Sequence, residues 1–306
     1  MKIMFNSSDC ILAVDAGGTF LKAALVSANG NIIENTLFKI PVDSNGSLQS
    51  ISDSYSLLAS VGLEKASREN LRIKGVGVCI PGPFDYLGGQ SLMKHKYATI
   101  YGVPMRPWFE TVIGNVPITF LHDSTAFILG ATVKSKYKKY RKIGAVIIGT
   151  GLGFATMIDS KVLTNPAGGP GVSIYSRQYR DGIAEDYVSR RGIISQYKNL
   201  CPDSPTDIDV IDIANLACSG NTAAITVFTR TGLYLAEILH DVLQHNDYQC
   251  LLLGGAISKS SDLFINPLKQ GLSDITTLEL IEQADNIDIA PILGTAQAVL
   301  RQSPAL

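Results

Sequence analysis

The sequence predicts an α/β fold, because short apolar strand-like runs and longer helix-like segments alternate along the whole chain. Strands are indicated by β-branched runs such as residues 73–80, and helices by apolar residues at helical spacing, as in residues 222–244. The chain has 306 residues, of which 46% are hydrophobic and 17% are charged. It is therefore long enough for one large domain or two ordinary ones.

The first elements predict a small meander. Residues 11–14 form a short strand, a glycine loop follows, and residues 21–26 resume the apolar pattern. A turn at residues 28–31 then leads to Ile32 and Ile33. This order predicts two or three antiparallel strands.

Two further strands each end at a marked feature. Residues 73–80 stop at Pro81-Gly82-Pro83, which terminates any regular element. Residues 116–121 form the next strand and carry His122 and Asp123 to its C-terminal end, and residues 124–133 have a helical pattern.

The second half of the chain repeats the opening design. In residues 144–158 an apolar strand, a glycine-threonine turn and a second apolar strand follow one another, as they do at the start. We favour a duplicated β-rich unit over a chance repeat of a common pattern. The last predicted elements are a helix over residues 222–244, a strand over residues 250–253 that opens onto Gly254-Gly255, and a helix over APILGTAQAVLR.

The charge and the chain start narrow the class of partner. The 26 basic and 27 acidic residues give a formal charge of −1. We therefore expect the protein to bind a small molecule rather than nucleic acid or a membrane. The first residues lack the pattern of a secretory leader, and no apolar run reaches the length of a membrane span, so we expect a cytoplasmic protein. The five cysteines lie far apart in sequence, which favours buried, reduced thiols.

Three glycine turns, each directly after an apolar strand, are the main functional signal. Glycine lets backbone N–H groups approach a phosphate closely, and threonine hydroxyls add donors. The turns are Asp15-Ala16-Gly17-Gly18-Thr19, Gly149-Thr150-Gly151-Leu152-Gly153 and Gly254-Gly255-Ala256. None of them matches the P-loop or the dinucleotide-binding pattern.

Two aspartates accompany these turns. Asp15 beside a phosphate turn predicts a Mg²⁺ ion between carboxylate and phosphate, although an Asx-turn would also explain it. Lys22 either supplies a positive charge to a transferring phosphoryl group or is a solvated lysine of the strand. Asp123 is either an N-cap of the following helix or a base for a substrate hydroxyl, and the two roles are compatible.

The ordered motifs VDAGGTFLKAAL, GVGVCIPGPFD, FLHDSTAFILGA, IIGTGLGFATMIDSKV and LLLGGAISKS resemble the ROK family of sugar kinases and sugar-responsive repressors. The resemblance covers nearly the whole chain and implies two actin-like (ribonuclease H-like) domains with an ATP and sugar cleft between them. The implied domains are residues 1–122 plus 291–306 and residues 123–290. The repressors carry an N-terminal DNA-binding segment for which we expect no room before residue 15, and a homodimer is implied by the family alone.

The resemblance implies a role for each motif residue. Asp123 would be the catalytic base. The implied ATP and phosphate contacts are Asp15, Gly17, Gly18, Thr19, Lys22, Gly149, Thr150, Gly151, Gly153, Gly254 and Gly255. The implied sugar contacts are Pro81, Gly82, Pro83, Asp85, His122 and Glu185. ATP and Mg²⁺ are the expected cofactors, with Asp15 contacting the metal indirectly.

The chain departs from the family pattern on the sugar side. His122-Asp123 stands where family kinases have Asn-Asp, and residues 167–172 lack the glutamate and histidine of the family's A-G-E-x-G-H segment. The zinc loop is missing, so no zinc is expected, and Glu185 is either a surviving sugar contact or a surface glutamate. Four nearby arginines would meet an anionic group or form a solvated helix face: Arg177, Arg180, Arg190 and Arg191.

From these observations we predict an ATP-dependent carbohydrate kinase. The sequence does not assign glucose or N-acetylmannosamine as its sugar, because the residues that family members use to hold those sugars are largely replaced. A differently shaped or phosphorylated sugar is compatible with the changes. The alternative is a sugar or nucleotide sensor that keeps the kinase fold without turnover. A third interpretation is an ATP-hydrolysing activator of the same superfamily. Ligands for an iron–sulfur cluster would support it, but the scattered cysteines do not supply them.

Overall fold

A computed structural model of the protein describes residues 5–301. Its strands are β1 (Asp9–Ala16), β2 (Phe20–Ser27), β3 (Phe38–Pro41), β4 (Arg72–Ile80), β5 (Phe84–Asp85), β6 (Gln90–Ser91), β7 (Ile118–His122), β8 (Lys142–Ile148), β9 (Leu152–Ile158), β10 (Lys161–Val162), β11 (Gln178–Tyr179), β12 (Gly182–Ile183), β13 (Cys250–Gly254) and β14 (Leu280–Gln283). Its α-helices are α1 (Leu48–Arg68), α2 (Arg106–Ile113), α3 (Asp123–Ala131), α4 (Ala184–Val188), α5 (Arg190–Leu200), α6 (Val210–Cys218), α7 (Thr222–Gln244), α8 (Ile265–Gly271) and α9 (Ala290–Arg301).

The chain forms two compact units. Unit 1 comprises residues 5–133, 164–170 and 289–301, and unit 2 comprises residues 134–163 and 171–288. The predicted boundary after residue 122 therefore falls eleven residues later in the structure, after Val133. Residues 302–306, which the prediction places in the first domain, lie outside the described residues.

Unit 1 is built on a five-stranded sheet in the order β3-β2-β1-β4-β7. The first two pairings are antiparallel and the last two parallel. Side chains of β1 alternate between two cores: Leu12 and Val14 pack with residues of α1, whereas Ile11 and Ala13 pack with residues of α9. This period of two is that of a strand buried on both faces.

The predicted meander is confirmed, except for its third strand. Ile32 makes only an isolated bridge with Val26, and the strand that pairs with β2 is β3, six residues further along. The two isoleucines are too short a run to form a ladder, while β3 pairs through four residues from Phe38 to Pro41.

Helix α3 belongs to unit 1 because two glycines let it approach α9 very closely. A methyl group on Gly130 would overlap the carbonyl oxygen of Ala290, and one on Gly294 would overlap that of Ala126. Larger residues would hold the two backbones apart, so this contact fixes α3 against the last helix.

Unit 2 repeats the topology of unit 1. Its sheet has the order β10-β9-β8-β13-β14, again with two antiparallel pairings followed by two parallel ones. Its core combines β8, β9 and β13 with the buried face of α7, which includes Val227, Phe228, Leu235 and Leu239. The predicted repeat is therefore present as a repeated sheet topology.

Two smaller predictions can also be compared with the structure. All five cysteines are free; Cys10, Cys79 and Cys250 are buried, but Cys201 is only partly buried and Cys218 is exposed. Within residues 5–301 no single helix is both long and apolar enough to cross a membrane, and α6 and α7 reach that composition only together, across a bend of 113°.

Candidate functional site

The parallel strands of unit 1 bring its predicted site residues to one edge of the sheet. Asp15 lies opposite Cys79 in the β1–β4 pairing, and Ile80 lies opposite His122 in the β4–β7 pairing. Asp123 follows directly as the first residue of α3. Ligands of α/β proteins bind outside the carboxyl ends of the strands, and all of these residues lie there.

Asp15 is a largely buried carboxylate next to the first glycine turn. The thiol of Cys79 donates a hydrogen bond to its Oδ1 at 3.4 Å, and Lys22 lies opposite Asp15 in the antiparallel β1–β2 pairing. Burial raises the pKa of Asp15; the Cys79 hydrogen bond and the Lys22 charge oppose this, and the Asp123 charge adds to it. Burial also raises the pKa of Cys79, so this group stays a thiol and a donor.

Asp123 has the opposite electrostatic setting. Its Oδ1 lies 2.8 Å from Nδ1 of His122 and accepts from the amide of Ser124 at 2.6 Å. Burial by itself would raise the pKa of Asp123, but the contacts with His122 and Ser124, together with the charge of Lys96, outweigh it and lower the pKa. The side chain is 50% exposed and both contacts end on Oδ1, so Oδ2 is left for a substrate.

His122 positions Asp123 and caps the helix. The N-cap of α3 is His122 rather than Asp123. The amide of Ser124 lies closer to Oδ1 of Asp123 (2.6 Å) than to Nδ1 of His122 (3.2 Å), so Nδ1 can carry the proton that it donates to the Asp123 carboxylate. The same nitrogen lies 2.8 Å from the hydroxyl of Ser124. The prediction of Asp123 as the N-cap is therefore wrong, because Asp123 is the first residue of the helix, although its carboxylate accepts from the amide of Ser124 in the first turn. The role of Asp123 as a base stays a prediction.

The first glycine turn, residues 17–19, offers unused backbone donors. Gly17 donates to the carbonyl of Phe20 at 3.0 Å, and the carbonyls of Gly18 and Thr19 accept from Ser44 and Val42. Within residues 5–301 the N–H groups of Gly18 and Thr19 have no protein acceptor. Such donors at a tight turn are suited to phosphate oxygens.

The predicted sugar segment forms a wall beside His122. Pro81, Gly82 and Pro83 follow β4 with a cis Gly82–Pro83 bond, and a methyl group on Gly82 would lie 3.5 Å from the His122 ring. Asp85 instead accepts from the amides of Leu87 and Gly88, so its carboxylate closes its own turn.

The second glycine turn, residues 149–151, connects β8 to β9 in unit 2. Gly149 donates to the carbonyl of Gly151 at 3.0 Å, and within the described part of the chain the N–H groups of Thr150 and Gly151 have no protein acceptor. Gly153 lies in β9, opposite Ile147.

Glu185 contacts this second turn. Its Oε2 accepts from the amide of Leu152 at 2.9 Å, and its Oε1 lies 3.0 Å from the guanidinium of Arg191. The side chain is only 18% exposed, which excludes a freely solvated surface glutamate. A methyl group on Gly151 would lie 2.7 Å from Oε2, so the glycine makes room for the carboxylate.

The Gly254-Gly255 turn lies at the same sheet edge as the second turn. Gly254 pairs with Ile147 in the parallel β8–β13 pairing, one residue before β8 ends. Gly255 has a φ of +84°, and a methyl group there would overlap the backbone of Ile148. Glycine is therefore required by both the conformation and the close approach.

The arginines near Glu185 are mostly engaged with acidic groups. Arg190 forms two hydrogen bonds with Asp209, and Arg191 pairs with Glu185 and Asp186. Arg180 pairs with Glu237, and Arg177 donates to the carbonyl of Ser173. These contacts favour the structural interpretation of the cluster over an anion site.

Three tyrosines pack together near the segment that takes the place of the family's zinc loop. The rings of Tyr179, Tyr187 and Tyr234 have centroids 5.0–5.9 Å apart in edge-to-face arrangements. Arg180 lies 4.3 Å from the centroid of the Tyr234 ring. This cluster fastens the β11–β12 hairpin to α7. In residues 5–301 no group of three or more His, Cys, Asp or Glu side chains could hold a metal ion.

Sequence reasoning missed two residues of unit 1 that shape this region. Tyr86 lies edge-on to the His122 ring, with centroids 6.0 Å apart. The Tyr97 hydroxyl donates to the carbonyl of Gly17 at 2.6 Å and supports the first glycine turn. Neither stands in a recognisable motif, and only the folded loop brings them there.

The two repeated sheets and the glycine turns at their carboxyl edges define a protein of the actin-like ATPase fold. The sequence model of the ROK family matches residues 11–301, so the chain belongs to the ROK family. It is 23% identical to a glucokinase of Thermotoga maritima, over 94% of this chain and 96% of that protein.

Two solved structures show how widely this fold is shared. A ROK family glucokinase from Streptomyces griseus, in complex with glucose and AMPPNP, has a TM-score of 0.75 and 20% identity, covering 94% of this chain and 98% of that one. A ROK family transcriptional regulator, described as a homologue of the E. coli MLC protein, has a TM-score of 0.80 and 18% identity, covering 97% and 80%.

Proposed function

We propose that this protein transfers the γ-phosphoryl group of ATP to a hydroxyl of a sugar or sugar derivative. The observation that carries this proposal is the Asp123 carboxylate. It is half exposed at the carboxyl end of β7, with a lowered pKa and both protein contacts on one oxygen. Such a group is ionised at neutral pH and can accept a hydroxyl proton.

The glycine turns support the nucleotide side of the proposal. In unit 1 the free amides of Gly18 and Thr19 would bind phosphate oxygens, and in unit 2 those of Thr150 and Gly151 would do the same. The Gly254-Gly255 turn would lie against the adenosine. Catalysis would consist mainly of positioning and charge stabilisation, as phosphoryl transfer requires.

Asp15 fits the role of an indirect magnesium contact. It is the carboxylate next to the first glycine turn, and burial raises its pKa, so a cation would offset an unfavourable charge. Magnesium takes few protein carboxylates and completes its shell with phosphate oxygens and water, which would neutralise phosphate charge here.

The decisive experiment is ADP release with Mg-ATP across a panel of hexoses, N-acetylhexosamines, sugar alcohols, sugar acids and sugar phosphates. We expect at least one acceptor to stimulate turnover, and Asp123→Asn to reduce it by about 10²–10⁴-fold. The matched control is Asp53→Asn on the exposed surface of α1, where the carboxylate only accepts from Gln49. Unchanged turnover in Asp123→Asn would contradict the assignment of the base.

A sensor without turnover is the second candidate. The likeness to a ROK transcriptional regulator favours it, because the same fold serves a protein of that class. A sensor would bind a sugar or nucleotide and raise the melting temperature, yet release no ADP with any acceptor.

A further inference from the structure

Unit 1 carries a basic loop beside the proposed base. Lys94, His95 and Lys96 follow each other between β6 and a 3-10 turn at residues 98–100. The loop is fixed at its end by Tyr97, which is fully buried. The amide of Tyr97 donates to the carbonyl of Ser44 at 2.6 Å, and its hydroxyl donates to Gly17. The basic loop is therefore tied to the first glycine turn.

Lys96 is the member of this loop that acts on Asp123. Its ammonium is close enough to contribute to the lowered pKa of the Asp123 carboxyl, and its side chain is partly buried, whereas Lys94 and His95 are exposed. Among residues 5–301 none of the three forms an ion pair with a carboxylate within 4 Å. They differ in this from Arg190 and Arg191, whose charges are neutralised by neighbouring acids.

The other parts of unit 1 that line this region supply little charge. Residues 164–170 contain no charged side chain, and their Gly168 packs against Tyr86, since a methyl group there would lie 2.9 Å from the Tyr86 Cβ. The Asp85 carboxylate is engaged by the amides of its own turn. The charged groups that act on the Asp123 carboxyl are His122, Lys96 and Asp15, while Lys22 acts on Asp15.

A neutral sugar needs no cation beside its hydroxyls, whereas an anionic one would be repelled by Asp15 and Asp123. A partly buried lysine without a carboxylate partner removes that repulsion and offers donors to a phosphate or carboxylate. We propose that the acceptor is an anionic monosaccharide derivative, bearing a phosphate ester or a carboxylate, and that Lys96 binds this anionic group. This inference rests on the proposed function of the same site.

The reaction remains an ordinary phosphoryl transfer. The acceptor hydroxyl oxygen forms a bond to the γ-phosphorus of ATP while the bond from that phosphorus to the bridging oxygen of ADP breaks. The electron pair of the broken bond leaves with ADP, and the hydroxyl proton passes to Asp123 and then to water. The anionic group at Lys96 takes no part in the bond changes and only fixes the acceptor.

The test compares matched neutral and anionic acceptors with Mg-ATP: hexoses, their 6-phosphates and the corresponding uronic acids, and N-acetylhexosamines with their 6-phosphates. We expect kcat/KM to be at least about 10-fold higher for one anionic form than for its neutral parent, as a charge-assisted contact allows. The phosphate and carboxylate arms then identify which anion is bound.

The variant is Lys96→Gln, with Lys138→Gln, an exposed lysine of unit 2, as the matched control. Lys96→Gln should raise KM for the anionic acceptor at least about 10-fold and reduce the preference for that acceptor over its neutral parent by the same factor, whereas Lys138→Gln should leave both unchanged. Circular dichroism and melting temperature confirm that the variants fold.

Two results would overturn the inference: preference for a neutral sugar over all its anionic forms, or an equal loss of kcat with neutral and anionic acceptors in Lys96→Gln. The second would assign Lys96 to the transferring phosphoryl group. If no acceptor is turned over, the proposed function fails. Calorimetric titration with the same sugar phosphates and sugar acids then tests separately whether Lys96 binds an anionic group. Binding that Lys96→Gln abolishes would support the anion site, and the absence of binding would reject it.

Discussion

Asp15 and Asp123 are two carboxylates at one sheet edge whose surroundings act on them in opposite directions. Burial raises the pKa of Asp15, and its Cys79 and Lys22 partners only partly compensate. For Asp123 the His122 and Ser124 contacts outweigh burial and lower the pKa. A cation next to Asp15 would therefore favour its ionised form, whereas the lowered pKa of Asp123 favours the anion that we propose as the base.

This contrast predicts that Asp15→Asn abolishes phosphoryl transfer while raising the melting temperature at neutral pH. Because the pKa of Asp15 is raised in the folded state, its ionisation destabilises the fold as pH rises through that pKa, and the effect disappears below the unfolded pKa. Thermal unfolding of the parent and the variant across the acidic to neutral range measures it. Their difference should shrink towards low pH.

Asp123→Asn provides the comparison of opposite sign. A lowered pKa contributes stability above the unfolded pKa, and this stability is lost as pH falls through the folded pKa. Asp123→Asn should therefore lower the melting temperature at neutral pH and approach the parent in acid. If Asp15→Asn were also less stable than the parent at neutral pH, the account of Asp15 as a buried, poorly compensated charge would be wrong.

Helix α4 positions the second glycine turn through Glu185. The carboxylate accepts from the Leu152 amide, and Arg190, at the start of α5, donates its amide to the carbonyl of Gly149 at 2.9 Å. The α4–α5 segment thus holds both ends of the turn. The aromatic cluster of Tyr179, Tyr187 and Tyr234 packs the preceding hairpin against α7.

We accordingly predict that Glu185→Ala raises KM for ATP about 10-fold or more, as expected for loss of a hydrogen bond to a charged group, and leaves KM for the acceptor unchanged. Steady-state kinetics with each substrate varied separately measures this. Glu64→Gln, in an exposed ion pair of α1, is the control. If KM for the acceptor rises instead, Glu185 contacts the sugar, as the family resemblance implies.

The contact between α3 and α9 is the element that fixes Asp123 in unit 1. Gly130→Ala would force these helices apart, because the new methyl group overlaps the Ala290 carbonyl. We expect a loss of about 1–3 kcal/mol in the free energy of unfolding and a lower kcat, since α3 begins with Asp123. Chemical denaturation and kinetics measure both, and Ser60→Ala on the exposed face of α1 should change neither. A fully stable Gly130→Ala would show that the helices have more room than the structure indicates.

At the scale of the whole molecule, one sheet topology is used twice, with glycine turns at corresponding places. In each unit a turn joins the first two antiparallel strands, between β1 and β2 and between β8 and β9. Each turn leaves two backbone amides without a protein acceptor in the described residues. Both units therefore offer the same arrangement of unused amide donors, which we propose binds phosphate.

A ligand that binds these turns should stabilise the folded chain. Mg-ATP at 100 times its dissociation constant should raise the free energy of unfolding by about 2.7 kcal/mol, provided that the unfolded chain does not bind it. Thermal shift or denaturant titration measures this, and ATP with a chelator tests the need for magnesium. The absence of any shift at saturating Mg-ATP would contradict nucleotide binding.

Much of the fold could be predicted because its strongest signals are local. The alternation of strand and helix, the two hairpins and the long helix α7 all lie in continuous patterns of apolar residues. The third strand was placed too early because β3 consists of four residues with a charged lysine in the middle, a weak pattern by any local measure. The division into units falls after Val133 rather than after residue 122, because the close contact of α3 with α9 joins residues far apart in sequence.

By itself, the sequence determined the fold class, the repeated hairpin and the positions of the glycine turns, since glycines after apolar strands define local backbone geometry. Only the tertiary structure decided how the charged side chains are used. It engaged Asp85 in its own turn, paired the arginines of unit 2 with acids, connected Glu185 to Leu152 and brought Lys96 to Asp123. The environment of a charge depends on burial and on partners from distant segments, and no local pattern encodes either.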